Sequence, residues 1–275
     1  MKVEIGDLVS PVEEAFLEKP FWPAAIDILQ THDTDKLERL TLAVAERAQN
    51  IDTASFHETV TLAKELHKGK KRKFTDTDYM VHLYQNFLIT TKYLGVDTIT
   101  DTMGKISILH DSIEDTAATR EFIEDKTGSA DIAFGVSTLS HKANGRKLYP
   151  EDHEKVMYFG NIATVNMVRP ELGLGLIKAV DQLAGANDPM TVGELSNPSL
   201  RGAWEDLSRQ KVQEMHGFRK AVVGLPKGEA LGGIITDFIG FSDMRIAPET
   251  AGMMDNVLTL RTRRNGGNLP TRRVS

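Results

Sequence analysis

The chain has 275 residues, of which 40% are hydrophobic and 26% charged, an ordinary balance for a globular protein with enough apolar side chains for a full core. Cysteine is absent, which excludes disulfides and thiolate ligands, so a bound metal must be held by His, carboxylate or carbonyl groups, and a harder divalent ion is favoured. A formal charge of −6, no apolar run near the ~20 residues of a membrane span, and an acidic start unlike a signal peptide lead to the expectation of a cytoplasmic protein that binds neither nucleic acid nor membrane.

Residues 1–20, with Pro11, Pro20 and an apolar spot at Phe16, read as a lead-in. From Phe21 to Gln49 the positions Ala25, Ile28 and Leu29, then Leu37, Leu40, Leu42 and Val44, follow helical spacing around a His32-Asp-Thr-Asp break that can cap the second helix. Phe56 to His67 is a further amphipathic helix, ended by Gly69. Lys68, Lys70, Lys71, Arg72 and Lys73 then crowd one short loop, either a solvated turn or a grip on phosphate, for which Arg and Lys are natural donors. Tyr79-Met-Val-His82 resumes an apolar run, and His82 by itself reads as a core histidine sooner than as a ligand.

Ile106-Ser-Ile-Leu-His-Asp-Ser-Ile-Glu-Asp-Thr116 packs one imidazole and three carboxylates into a short stretch. Drawn as one continuous helix, it puts His110, Asp111, Glu114 and Asp115 in a polar arc and Ile106, Leu109 and Ile113 in an apolar stripe. That pattern suits a metal or acid/base site, with a capped surface helix as the alternative. Arg120 to Lys126 reads as a short helix ending near Gly128, and Asp131 to Lys142 as another leading into a polar loop. His141 and His153 fall in that loop as surface residues. A helix from Glu171 to Ala184 places Leu172, Leu176, Val180 and Leu183 on one stripe bordered by Asp181, a carboxylate that needs a partner. Beyond Asn197, Trp204 to Val223 reads as a helix, and Glu229 to Phe241 as an apolar segment packing on the domain or on a second subunit. The tail after Leu260, with Arg261, Arg263, Arg264, Arg272 and Arg273, reads as disordered.

Taken together, His67-x-Gly69-x-x-Arg72-Lys73, Tyr79-x-x-His82, His110-Asp111-x-x-Glu114-Asp115-Thr116 and Lys178-x-x-Asp181 resemble the hydrolase domain of the RelA/SpoT family. Its stand-alone members are the small alarmone hydrolases of the HD phosphohydrolase superfamily, and the resemblance spans residues 56–191. The chain departs from that pattern at Lys70, where the family has Gln, and at Leu83, where it has Pro. The family's asparagine, one turn past the ligand aspartate, falls on Gly185, and Asn187 can replace it only if the helix unwinds there.

The resemblance implies an all-α, HD-type helical bundle over residues 21–196, a helical extension over 197–260 and a basic tail over 261–275. It implies one Mn²⁺ per chain, or another divalent ion, held by His82, His110, Asp111 and Asp181. Glu114 and Asp115 are then the catalytic acids, and Arg72, Lys73, Lys142 and Asn187 bind substrate. The implied reaction is hydrolysis of the guanosine polyphosphate (p)ppGpp at its 3′-pyrophosphate, giving GDP or GTP and pyrophosphate. Another nucleotide substrate (a dNTP, ppApp or NADPH) and a noncatalytic nucleotide-binding or antitoxin-like protein are the alternatives. Homo-oligomerisation through the C-terminal extension is a further expectation.

Overall fold

Short polar side chains start most of the helices in the first half of the chain. The computed structural model describes residues 11–72, 75–143, 146–149, 154–187, 198–225 and 228–246, and it is all-α; strand among these residues is limited to one short hairpin and a lone bridge. Helix α1 (Pro11–Glu18) lies in the expected lead-in and buries Phe16. After α2 (Phe21–Leu29), Asp33 accepts the Lys36 N–H at 2.9 Å and opens α3 (Thr34–Arg47), as the His32-Asp-Thr-Asp break led us to expect. Asp52 caps α4 (Thr53–Leu66), Thr100 caps α6 (Asp101–Leu109), Thr119 caps α8 (Arg120–Thr127) and Ser129 caps α9 (Ala130–Leu139).

Two helices have no solvent face. In α5 (Met80–Leu94) every residue from Met80 to Thr91 is buried, and α11 (Leu174–Ala186) is buried throughout. They pack against each other, and Asn86 Nδ2 donates to the Ile177 carbonyl at 3.2 Å. Helices apolar on all sides belong at the centre of a bundle, so the polar residues that they carry, His82 and Asp181, must find partners there.

Two expected helices differ in detail. The stretch from Ile106 to Thr116 is broken: α6 stops at Leu109, His110 and Asp111 form a turn, and α7 (Ser112–Asp115) restarts the chain. The cause is visible at His110, whose Nδ1 lies 2.8 Å from the Ser107 carbonyl and occupies an acceptor at the end of α6. Asp111 sits at φ −95°, ψ 0°. The helix expected from Glu171 instead begins with a 3₁₀ turn, Pro170–Leu172, and Gly173 at φ +63° redirects the chain into α11.

Close approach matters at Gly135 on α9, where an added Cβ would stand 2.4 Å from Ile106 Cδ1. Only hydrogen there lets α9 lie directly on α6, behind His110. A hairpin of β1 (Lys142–Ala143) and β2 (Arg146–Lys147) follows α9 and packs on α7. Helix α10 (Glu154–Val168) then runs to the 3₁₀ turn.

The C-terminal helices are continuous with this body. Helix α12 (Pro198–Val223) packs on α10 and α11, and α13 (Glu229–Ile246) packs on α11 and α12. Phe241 stacks on Trp22 with centroids 4.8 Å apart, and Phe238 stacks on Phe21 at 6.1 Å. One apolar cluster runs from Phe16 to Phe241, so the core crosses the boundary expected near residue 197. The apolar segment Glu229 to Phe241 is thus seated on its own chain. The tail over 261–275 lies outside the described residues.

Candidate metal centre

His82 comes from the first turn of α5, His110 and Asp111 from the break between α6 and α7, and Asp181 from the middle of α11. The fold brings these four side chains together, with one donor atom of each within 4.8 Å of the others. His82 Nε2 is 3.4 Å from Asp111 Oδ2 and 3.2 Å from Asp181 Oδ1. His110 Nε2 is 3.3 Å and 3.7 Å from the same two oxygens, and the two Nε2 atoms are 3.2 Å apart. Donors that share one ion at about 2.0–2.2 Å sit roughly 3–3.4 Å from one another, so the spacing fits a single first-row divalent ion.

The electrostatics fit as well. Burial works against charge on His110, yet Asp111 and Asp181 outweigh it and push its pKa up to about 10. Burial likewise opposes ionisation of Asp111 and Asp181. His110, followed by contacts with both imidazoles, nevertheless holds Asp111 well below the usual carboxylate range, and Lys178 with the same imidazoles does so for Asp181. Two buried carboxylates that draw a proton onto a neighbouring imidazole are asking for positive charge, and a divalent cation supplies it. With Nδ1 donating to the Ser107 carbonyl, it is Nε2 that faces the cluster, and a cation there would take the place of its proton.

Glu114 and Asp115 border this cluster without being part of it. Glu114 Oε2 takes a 2.7 Å contact from His141 Nδ1 and a 3.2 Å bond from the His141 N–H. His141 is thereby a half-buried partner of Glu114, where its loop position had suggested a surface residue. The Tyr79 hydroxyl lies 2.6 Å from Asp111 Oδ2 and also contacts Asp115 Oδ2, so one phenol links a clustered carboxylate to Asp115. Burial and then Asp111 raise the Asp115 pKa above its ordinary value.

The remaining expected site residues are more dispersed. The Arg72 guanidinium lies over the Tyr79 ring, 5.4 Å from its centroid, while His67 stacks on that ring at 4.7 Å. Lys142 stands half-buried on β1, next to the His141 that meets Glu114. The expectation for Asn187 required α11 to unwind at Gly185. Helix α11 continues through Gly185 to Ala186, and the Asn187 amide is turned away to the Leu183 carbonyl at 2.8 Å and Ser242 Oγ at 2.9 Å. Lys73 and His153 lie outside the described residues.

The structure adds Lys178, which had no assigned role in the sequence. Its ammonium is buried, 2.5 Å from Asp181 Oδ2 and 5.2 Å from the Tyr158 ring centroid. Its three-residue separation from Asp181 is the one local sign of that pairing. Among the described residues no helix is long and apolar enough to cross a membrane. No protein-family model matches this chain, and no curated protein matches it either.

Proposed function

We propose that this protein is a metal-dependent phosphohydrolase of the HD type that cleaves (p)ppGpp at the 3′ position, releasing pyrophosphate and GDP or GTP. The observation that carries this is the convergence of His82, His110, Asp111 and Asp181 from separate helices, with Glu114 and Asp115 held just outside the ligand set. Two imidazoles and two carboxylates suit Mn²⁺, which when bound supplies Lewis acidity to a phosphate oxygen and makes a water more acidic.

The residues around the ion do the rest. Glu114 takes the proton of the attacking water, and His141 holds its carboxylate in place through two hydrogen bonds. The water oxygen bonds to the phosphorus next to the 3′ oxygen as the bond between those two atoms breaks. Asp115, whose environment favours its protonated form, gives a proton to the departing 3′ oxygen. Arg72, set against the Tyr79 face, offers a guanidinium to the substrate's phosphates.

The test is to incubate the purified chain with Mn²⁺ and, separately, ppGpp, ppApp, dNTPs and NADPH, and to identify the products. GDP and pyrophosphate from ppGpp, formed faster than products from the others, are the expected result. Faster turnover of another nucleotide would move the substrate assignment, and no turnover of any would leave a noncatalytic nucleotide binder.

A further inference from the structure

Next to the His82, His110, Asp111 and Asp181 cluster, on the side of α10 and α12, three lysines gather around Glu214 and Asp181. Lys155 Nζ on α10 lies 3.3 Å from Glu214 Oε1, and Lys211 Nζ on α12 lies 3.7 Å from Glu214 Oε2. Lys178 on α11 joins them through Gln182, whose amide, oriented to suit its neighbours, donates to Glu214 Oε2 at 3.0 Å and accepts from Lys178 Nζ at 3.2 Å. Gln210 Nε2 donates to Glu214 Oε1 at 3.1 Å. Glu214 thus takes two ammonium groups directly, while Lys178, paired with Asp181, reaches it only through Gln182.

Asp181 offsets the charge of Lys178 only in part once the cluster holds an ion. Its Oδ1 faces the imidazoles and its Oδ2 takes Lys178, so an ion in the cluster and the Lys178 ammonium draw on one carboxylate. Burial lowers the Lys155 pKa against the pull of Glu214, and Lys178 and Lys211 add to the lowering. Pinning α12 to the bundle needs one lysine on Glu214, whereas three lysines here share two carboxylates, one of which also faces the imidazoles, and a further anion would balance them.

The lysines also form a path inward. Side-chain exposure falls from 40% at Lys155 to 26% at Lys211 and 8% at Lys178, from solvent to the ligand Asp181. Gly185, one turn past Asp181, leaves room for the Lys211 stem, whose Cε is 3.3 Å from where a Cβ would stand. We propose that Lys155, Lys178 and Lys211 form an anion subsite that takes a phosphoryl group of the substrate other than the one being hydrolysed. This subsite presupposes the phosphohydrolase role proposed above and gives α12 a part in it.

The probe is inorganic pyrophosphate, titrated calorimetrically into the full chain with chelator present, so that neither metal nor turnover enters the measurement. Wild type should bind it, and Lys155→Gln and Lys211→Gln should each weaken binding by roughly tenfold, the scale of one lost charge-assisted hydrogen bond. Glu214→Gln should tighten binding, because it removes the carboxylate that competes with the anion. Absence of binding to wild type, equal binding by wild type and both lysine variants, or weaker binding by Glu214→Gln would each overturn the subsite. The phosphohydrolase role stands or falls separately, on Mn²⁺-dependent turnover.

Discussion

At Glu114 the hydrogen bonds set the proposed general base apart from the four side chains that could hold an ion. Its Oε2 is committed to His141, and it is not among the four clustered donors. Glu114→Gln should leave Mn²⁺ affinity unchanged in a calorimetric titration while lowering turnover by about a hundredfold or more, the usual loss when a general base is removed. Near wild-type turnover in both Glu114→Gln and Asp115→Asn would remove the proton-transfer roles. His67 supports a second expectation. It is buried against Tyr79, its two ring nitrogens have no hydrogen-bond partner among the described residues, and burial lowers its pKa from 6.5 to about 4. Above pH 6.5 it is neutral in both folded and unfolded chains and contributes no pH dependence. As pH falls from 6.5 to 4 the unfolded chain takes up a proton that the folded chain refuses, so stability declines, by at most roughly 3 kcal/mol, and levels off below pH 4. His67→Phe should keep the stacking and flatten that part of the stability profile; an unchanged slope in urea melts across this range would show that other groups cause it.

Among the elements, the His82, His110, Asp111 and Asp181 cluster joins α5, the α6–α7 break and α11. An ion that binds only this arrangement stabilises it by mass action, by about 2.7 kcal/mol at a hundred times its Kd. Mn²⁺ should therefore raise the melting temperature and chelator lower it, and His110→Ala should abolish the response. A His110→Ala chain that still binds Mn²⁺ with unchanged affinity would mean that the ligand set is wrong. The convergence of His110, Asp111 and Asp181 had a local sign, the His-Asp-x-x-Glu-Asp run and an aspartate bordering an apolar stripe, whereas His82 joined them only through the family resemblance. The break at His110 had no such sign, because periodicity assumes an ideal helix and the imidazole's hold on the Ser107 carbonyl leaves no mark on spacing. Lys155, Lys211 and Glu214 were invisible for another reason. No local sign joins Lys155 to the other two, and only the packing of α10 and α12 against α11 assembles them.

For the whole molecule, the all-α class followed from helical spacing, whereas the extent of the core did not. Residues beyond 197 carry no motif, yet Phe238 and Phe241 complete a cluster with Phe21, Trp22 and Tyr93 from the first half of the bundle. Phe238→Ala should cost about 3–5 kcal/mol, the range for emptying a buried aromatic site, even though this residue lies on the last described helix. A loss below 1 kcal/mol, measured by urea denaturation, would show that α13 is dispensable to the fold. The stacking of Trp22 on Phe241 also equips the protein with an optical gauge. The chain has two tryptophans, so in a Trp204→Phe background all indole emission comes from Trp22, at the seam where an early helix meets the last one described. Its colour then reports closure of that seam, and comparing its thermal transition with the loss of helical dichroism tells whether the seam opens with the bundle or ahead of it.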